Sequence, residues 1–257
     1  MMREISFKNR KGLTLRGFIH EPKAHAKKYD TAILTLHGFP GSCTGGRITN
    51  TAKLLEKKGF LVMRFDFSCS NISDGNFEDK LMSDEVKDIK YAIDFLEKNY
   101  QFKRLVLHGH STGSIDASLY AYKDKRINRL ILSGATDRLD HSARFDFTDV
   151  QVKDFWTKGY ITYRSKGYWS YNKRLKKAFY DEFFTLDIPK AMKRYRRPLL
   201  IIHGEKDEGV PVQCAKELYK LSNRPKQLYI IKGANHRFTK RKWLKLFVEK
   251  AARFARS

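Results

Sequence analysis

The residues with the clearest chemical meaning are Gly109-His110-Ser111-Thr112-Gly113, a serine with a glycine two positions away on either side. The apolar run Leu105-Val106-Leu107 precedes it, and Ile115, Leu119 and Tyr122 follow at i, i+4, i+7. That spacing predicts a strand, a sharp turn and a helix. A serine at such a turn projects its Oγ above the sheet, and the glycines let strand and helix pass closely. The helix start behind it offers free backbone N–H groups to a developing negative charge. This is the pattern of a nucleophile elbow. The chemistry it predicts is attack of Ser111 on an acyl carbonyl, as in a serine hydrolase.

A pentapeptide of this form arises by chance in roughly one chain in ten of this length, so the residues downstream decide. Acyl transfer by serine needs an acid and then a histidine in the order Ser…Asp…His. The buried-strand pattern Pro198-Leu-Leu-Ile-Ile202 leads into the turn-rich loop His203–Pro211, which carries Asp207. The next strand pattern, Gln227–Ile231, leads into Gly233-Ala234-Asn235-His236. Ser111, Asp207 and His236 therefore fall at the carboxyl ends of three strands, where open α/β sheets place their sites. Glu205 and Glu208 flank Asp207 and are the alternative acids. His203 reads as a packed or hydrogen-bonded turn residue, His108 as a satisfied core histidine, and His110 as a lining residue pointing away from the nucleophile. His20, His25 and His141 show no partner pattern.

Positioning these groups requires a regular scaffold. Residues 3–8 and 13–20 read as opening strands joined at Lys11-Gly12, and 31–36 as a continuous apolar strand running into His37-Gly38-Phe39-Pro40-Gly41. A helix over 46–58, a strand over 60–65 and a long amphipathic helix over 78–98 follow, the last with Val86, Ile89, Ile93 and Leu96 on one face. After the elbow comes a strand over 127–132. Strands alternating with helices imply a mostly parallel sheet covered on both sides. The alternation breaks over 136–197, an aromatic-rich stretch with a β-like segment 160–171 and a hairpin turn at Ser165-Lys166-Gly167. The sequence thus divides into a core of residues 1–135 and 198–257 and a cap, or lid, of residues 136–197. Most cap aromatics are expected to form the cap's own core and a few to line the substrate cavity. A final helix over 240–256 would pack Trp243, Leu246, Phe247 and Phe254 on the sheet.

At 257 residues and 41% hydrophobic content the chain can bury a large core without disulfides or metal. Cys43, Cys69 and Cys214 show no C-x-x-C spacing. No apolar stretch reaches the ~20 residues of a membrane span, and the N-terminus lacks a signal-peptide pattern. A cytoplasmic protein is expected. The formal charge of +24 is spread along the chain. With no RNA-binding signature or zinc-ligand spacing, it reads as a solvated surface with weak nonspecific affinity for polyanions and no specific nucleic-acid partner.

His37-Gly38-Phe39, the Ser111 elbow, the Asp207 loop and His236 together resemble the α/β-hydrolase superfamily over essentially the whole chain. A closer similarity is to small bacterial and archaeal carboxylesterases, notably the cinnamoyl/feruloyl esterase group. It rests on Arg64-Phe65-Asp66-Phe67, on Ser73-Asp74-Gly75-Asn76-Phe77-Glu78 and on Ile201–Asp207. The resemblance implies an eight-stranded, mostly parallel sheet flanked by helices, a cap inserted after the sixth strand, and no cofactor or metal. One departure is Cys69-Ser70-Asn71 where the family has a Gly-His-Gly-like turn; Asn71 can supply the left-handed backbone this needs.

The expected reaction is hydrolysis of a small carboxylic ester. Ser111 attacks, His236 moves the proton, Asp207 orients His236, and the backbone N–H groups of Phe39 and Thr112 hold the oxyanion. A serine aminopeptidase-like peptidase or a thioesterase on the same scaffold is the alternative, because the acyl chemistry is shared. For the peptidase, Asp137, Asp140, Asp146 and Asp149 are the candidate ammonium ligands. A noncatalytic basic binding protein is the reading from another class.

Overall fold

Apolar runs in the sequence become the strands of one sheet in the computed structural model, which describes residues 1–22 and 28–257; His25 lies outside the described residues. The sheet contains β1 (Met2–Lys8), β2 (Thr14–His20), β3 (Lys28–Leu36), β4 (Leu61–Phe65), β5 (Gln101–His110) and β6 (Ile127–Ser133). A short antiparallel pair, β7 (Tyr160–Thr162) with β8 (Arg174–Lys176), stands apart before β9 (Leu199–Gly204) and β10 (Lys226–Ile231) rejoin the sheet. The order is β1-β2-β4-β3-β5-β6-β9-β10, eight strands, with β2 antiparallel to both its neighbours and every other pairing parallel.

Successive strand residues point to opposite faces, and each face buries its own set. Ile33, Val62, Val106, Ile131 and Leu200 pack under α1 (Gly46–Lys57) and α9 (Arg241–Arg256). Leu34, Met63, Leu107, Leu130 and Leu199 pack under α2 (Met82–Asn99), α3 (Thr112–Ala121) and α8 (Val212–Leu221). Helix α3 follows Ser111 directly and is buried along its whole length, not on one face as the Ile115/Leu119/Tyr122 spacing suggests. It lies between the sheet, α2 and α7 (Ile188–Arg194).

The helix expected from residue 78 begins at Met82. Phe77–Asp79 form a separate 3-10 turn, and Lys80 and Leu81 are extended. The extended backbone carries the Lys80 ammonium inward, 2.6 Å from Glu85 Oε1 and 2.5 Å from Ser70 Oγ, both buried. Cys69 and Asn71 each adopt positive φ, 61° and 40°, so the departing turn keeps left-handed backbone without glycine there.

Between β6 and β9 the chain forms α4 (Leu139–Asp146), α5 (Asp149–Lys158), the β7/β8 pair, α6 (Lys177–Asp181) and α7. A capping box between Thr148 and Gln151 starts α5, and the Asp187 side chain caps α7. The expected turn is present, with Tyr168 N bonded to Ser165 O and Gly167 at φ 83°. The strands around it pair farther out than expected, Tyr160–Thr162 against Arg174–Lys176.

Candidate active site

Strand β5 ends at His110, and Ser111 takes φ 55°, ψ −126° before α3 begins. A non-glycine residue held there stores strain of ~1–3 kcal/mol, typical of functional turns. The crossing is tight: a Cβ on Gly109 would fall 2.1 Å from Gly113 O, and one on Gly113 would fall 2.5 Å from His37 O. The Ser111 amide donates to Ser133 O at 2.9 Å, tying the elbow to β6.

Asp207 and His236 come together as their strand ends predict. The His236 Nδ1–H donates to Asp207 at 2.8 and 2.9 Å, which leaves Nε2 as the ring's acceptor. Asp207 also accepts the amides of Gly209 (2.9 Å) and Val210 (2.7 Å) and stands 3.1 Å from His203 Nε2. Burial alone would raise its pKa; hydrogen bonds from His203 and His236, with the backbone donor, outweigh that and hold it well below the usual carboxylate range. The alternative acids serve elsewhere: Glu208 accepts the His236 backbone amide at 3.1 Å and Glu205 the Gly233 amide at 2.8 Å. Ser111 and His236 line one cavity of about 510 Å³. A hydrogen bond between Ser111 Oγ and the His236 ring is not among those formed, and such contacts commonly close only around substrate.

The His37–Gly41 loop borders the same cavity, and a Cβ on Gly38 would fall 2.8 Å from Ser111 Cβ. The Phe39 and Thr112 amides donate to no acceptor among the described residues, as an oxyanion site requires. The Phe39 ring stacks on Phe179 and Phe77 at 4.7 and 5.8 Å. Trp169 Nε1 donates to Gly41 O at 3.0 Å, so residues beyond β6 brace this loop. Asp66 braces it from below: its Oδ1 accepts Cys43 N at 2.5 Å and its Oδ2 accepts Asn71 Nδ2 at 3.1 Å. The Phe-Asp-Phe and Ser-Asp-Gly motifs thus carry loop support.

His108 sits between Thr35 Oγ1 (3.3 Å) and Ser133 Oγ (3.2 Å), and burial pushes its pKa down to about 3. The His110 ring lies 4.9 Å from that of His236, with Nδ1 3.1 Å from Ser133 Oγ. Burial also holds His110 neutral, with the Arg47 charge adding to the effect. His20, without a partner pattern in the sequence, bonds Glu56 at 3.1 Å and Arg64 at 2.9 Å.

Two residues, His203 and Arg47, gain roles that the sequence reading did not give them, and Asp146 stands out from the four candidate aspartates. His203, expected only as a turn residue, buttresses Asp207 and also bonds Val210 O at 2.9 Å. Its buried Nδ1 has no partner among the described residues. Arg47 lies over the Phe238 and Phe247 rings at 5.2 and 5.3 Å and reaches Ser133 Oγ at 3.3 Å. Burial pushes its pKa down to about 9 against the opposing pull of Asp207. Asp146 lines the cavity, and Asp137, Asp140 and Asp149 do not. Asp146 is exposed at the cavity wall, and desolvation by the surrounding protein pushes its pKa up to about 7. Only contact across the fold reveals these three.

Fold, elbow and strand-end residues together define an α/β-hydrolase. Residues 27–181 match the family model Hydrolase_4, serine aminopeptidase, S33. The chain belongs to this α/β-hydrolase family. Lysophosphatidylserine lipase ABHD12 of Danio rerio is 27% identical over 201 residues, covering 76% of this chain and 48% of that protein. This chain therefore spans about half the length of the curated relative it matches. Ferulic-acid-bound Est1E from Butyrivibrio proteoclasticus superposes with TM-score 0.81 at 23% identity over 97% of each chain. The esterase domain of a Rhodothermus marinus protein does so with TM-score 0.75 at 20% identity, over 100% of this chain and 98% of that one. At these identities the structural likeness shows the fold.

Proposed function

We propose that the chain hydrolyses carboxylic esters through an acyl-enzyme on Ser111. The observation that carries this is the half-buried Asp207–His236 pair at 2.8 Å, whose His236 lines the cavity that Ser111 shares. His236 Nε2 takes the Ser111 proton as Oγ attacks and returns it to the leaving alcohol; water then repeats the sequence on the acyl-enzyme. Asp207 keeps Nδ1 protonated and stabilises the imidazolium. The Phe39 and Thr112 amides receive the oxyanion, each worth on the order of 3 kcal/mol. Residues 136–197 act as the cap, contributing Phe145, Asp146 and Tyr168 to the cavity wall.

The second reading, a serine aminopeptidase, is favoured by Asp146, a carboxylate positioned to meet a substrate ammonium. Arg47 and Arg237 line the same cavity and oppose that preference. Turnover of p-nitrophenyl acetate and butyrate against alanine p-nitroanilide separates the two. The ester reading expects the esters to be preferred by more than about a hundredfold in kcat/KM; faster anilide cleavage would establish the peptidase.

A further inference from the structure

Nine large hydrophobic residues are exposed among the described residues, and six of them fall between β6 and β9: Phe145, Val150, Trp156, Tyr168, Tyr171 and Phe184. Of that region's other aromatics, Phe147 packs 5.3–5.4 Å from Phe155, Tyr180 and Phe183, while Tyr163, Trp169 and Phe179 pack on Phe39 or Phe77. The exposed set is therefore not spillover from an overfull core. Val150 and Trp156 are 70% and 69% accessible, on a helix whose amphipathic turn also exposes Lys153. Phe145 and Tyr168 are exposed and line the catalytic cavity, which places part of this apolar surface at its mouth.

Cations meet two of these side chains directly, Lys177 Nζ 4.0 Å from the Trp156 ring centroid and the Arg237 guanidinium 5.8 Å from that of Tyr168. Residues 136–197 hold fifteen Lys and Arg against eight Asp and Glu. Arg144, Lys153, Lys166, Lys173 and, at the cavity mouth, Arg237 are exposed and have no carboxylate partner among the described residues. Arg237 Nη1 instead donates to Tyr168 Oη at 2.9 Å, joining the basic and aromatic elements at the rim.

We infer that this face of the cap docks on an anionic lipid surface and presents the cavity mouth to esters held there. Apolar side chains interleaved with unpaired cations match a bilayer interface, where rings and aliphatic groups enter the acyl boundary while ammonium and guanidinium groups meet phosphates. Nucleic acid would use the charge and the ring faces but gives Val150 no partner. A second copy of the chain would bring two positive faces together. The interface delivers ester-bearing molecules to the mouth, and this consequence rests on the ester-hydrolase reading; the docking itself does not.

The test is flotation with vesicles of phosphatidylcholine alone and of phosphatidylcholine with about one-third phosphatidylserine, at moderate and high salt. The wild-type chain is expected to bind the anionic vesicles and to float poorly with the neutral ones. The double variant Val150→Ser/Trp156→Ser should weaken binding about tenfold or more, and Trp156→Phe should largely restore it. Lys153→Gln and Lys166→Gln should each weaken it about fivefold. All are surface changes, so circular dichroism and p-nitrophenyl acetate turnover should stay within about twofold of wild type. Anionic vesicle binding that is absent, or unchanged in the double variant, overturns the proposal. So does duplex DNA retention without vesicle binding, or a dimer that the double variant abolishes without vesicle binding. Vesicle binding in the expected pattern with no ester turnover at all would leave docking standing and refute the ester reading instead.

Discussion

Replacing Asp207 by Asn keeps the shape of the side chain and removes its charge. Asn Oδ1 can still accept the Gly209 and Val210 amides, which hold the wild-type carboxylate at 2.9 and 2.7 Å. The amide Nδ2 that takes the place of Oδ2 is a donor and cannot accept the His236 Nδ1–H and His203 Nε2–H that meet Oδ2 in the wild type. A hydrogen bond to a charged group is worth ~1.5–3 kcal/mol, so the two disrupted contacts cost ~3 kcal/mol of stability. The kinetic cost is larger, because the imidazolium loses its counter-charge and Nδ1 its fixed proton. A fall of about 10⁴ in kcat is expected, with KM little changed. The stability difference has a pH signature. Asp207 titrates below its unfolded value, so its contribution is present above about pH 4 and is lost as pH falls through the folded pKa. Urea denaturation of both proteins should show a constant gap at neutral pH that narrows below about pH 4. A variant with kcat within tenfold of wild type would refute the reasoning and return Glu208 or Glu205 to consideration.

Two further outcomes follow from the same geometry. Gly109→Ala drives a methyl group to 2.1 Å from Gly113 O, a backbone atom that cannot swing aside. It should cost at least ~2 kcal/mol in urea denaturation and abolish turnover, and an unchanged midpoint would contradict the close strand–helix crossing. Asp146, with its pKa pushed up to about 7, is neutral below that pH and charged above it. The KM for an ester carrying a free carboxylate should therefore rise about fivefold between about pH 6 and about pH 8, corresponding to ~1 kcal/mol of repulsion in a wet cavity. Asp146→Asn should flatten that rise, and an equal rise in the variant would place the carboxylate away from the substrate.

Local sequence carries the scaffold because each element announces itself within a few residues. The apolar runs at Ala32–Leu36, Leu105–Leu107 and Leu199–Ile202 are central parallel strands buried on both faces, where neither face needs polar alternation. Ser111, Asp207 and His236 each follow a strand pattern in the sequence, and the fold brings Asp207 and His236 into contact and sets Ser111 and His236 on one cavity. Helix α8 went unread: it begins after Pro211 without a side-chain cap, and Ala215 and Leu218 are its buried residues. Helix α2 was read too long because Lys80, polar in sequence, is pulled inward by Glu85 and Ser70 in the folded chain. Asp146 and His203 depend on partners far along the chain or across a cavity, which no local pattern encodes. The aromatics between β6 and β9 divide into buried, lining and exposed sets only once α4, α5 and α6 are packed.

The acyl-enzyme on Ser111 is tested most directly by mass spectrometry after treatment with a fluorophosphonate. The account predicts one adduct per chain, mapped to the peptide containing Gly109–Gly113, with labelling slowed by several orders of magnitude in His236→Ala and absent in Ser111→Ala. An adduct on another residue, or labelling of Ser111→Ala at the wild-type rate, would contradict it.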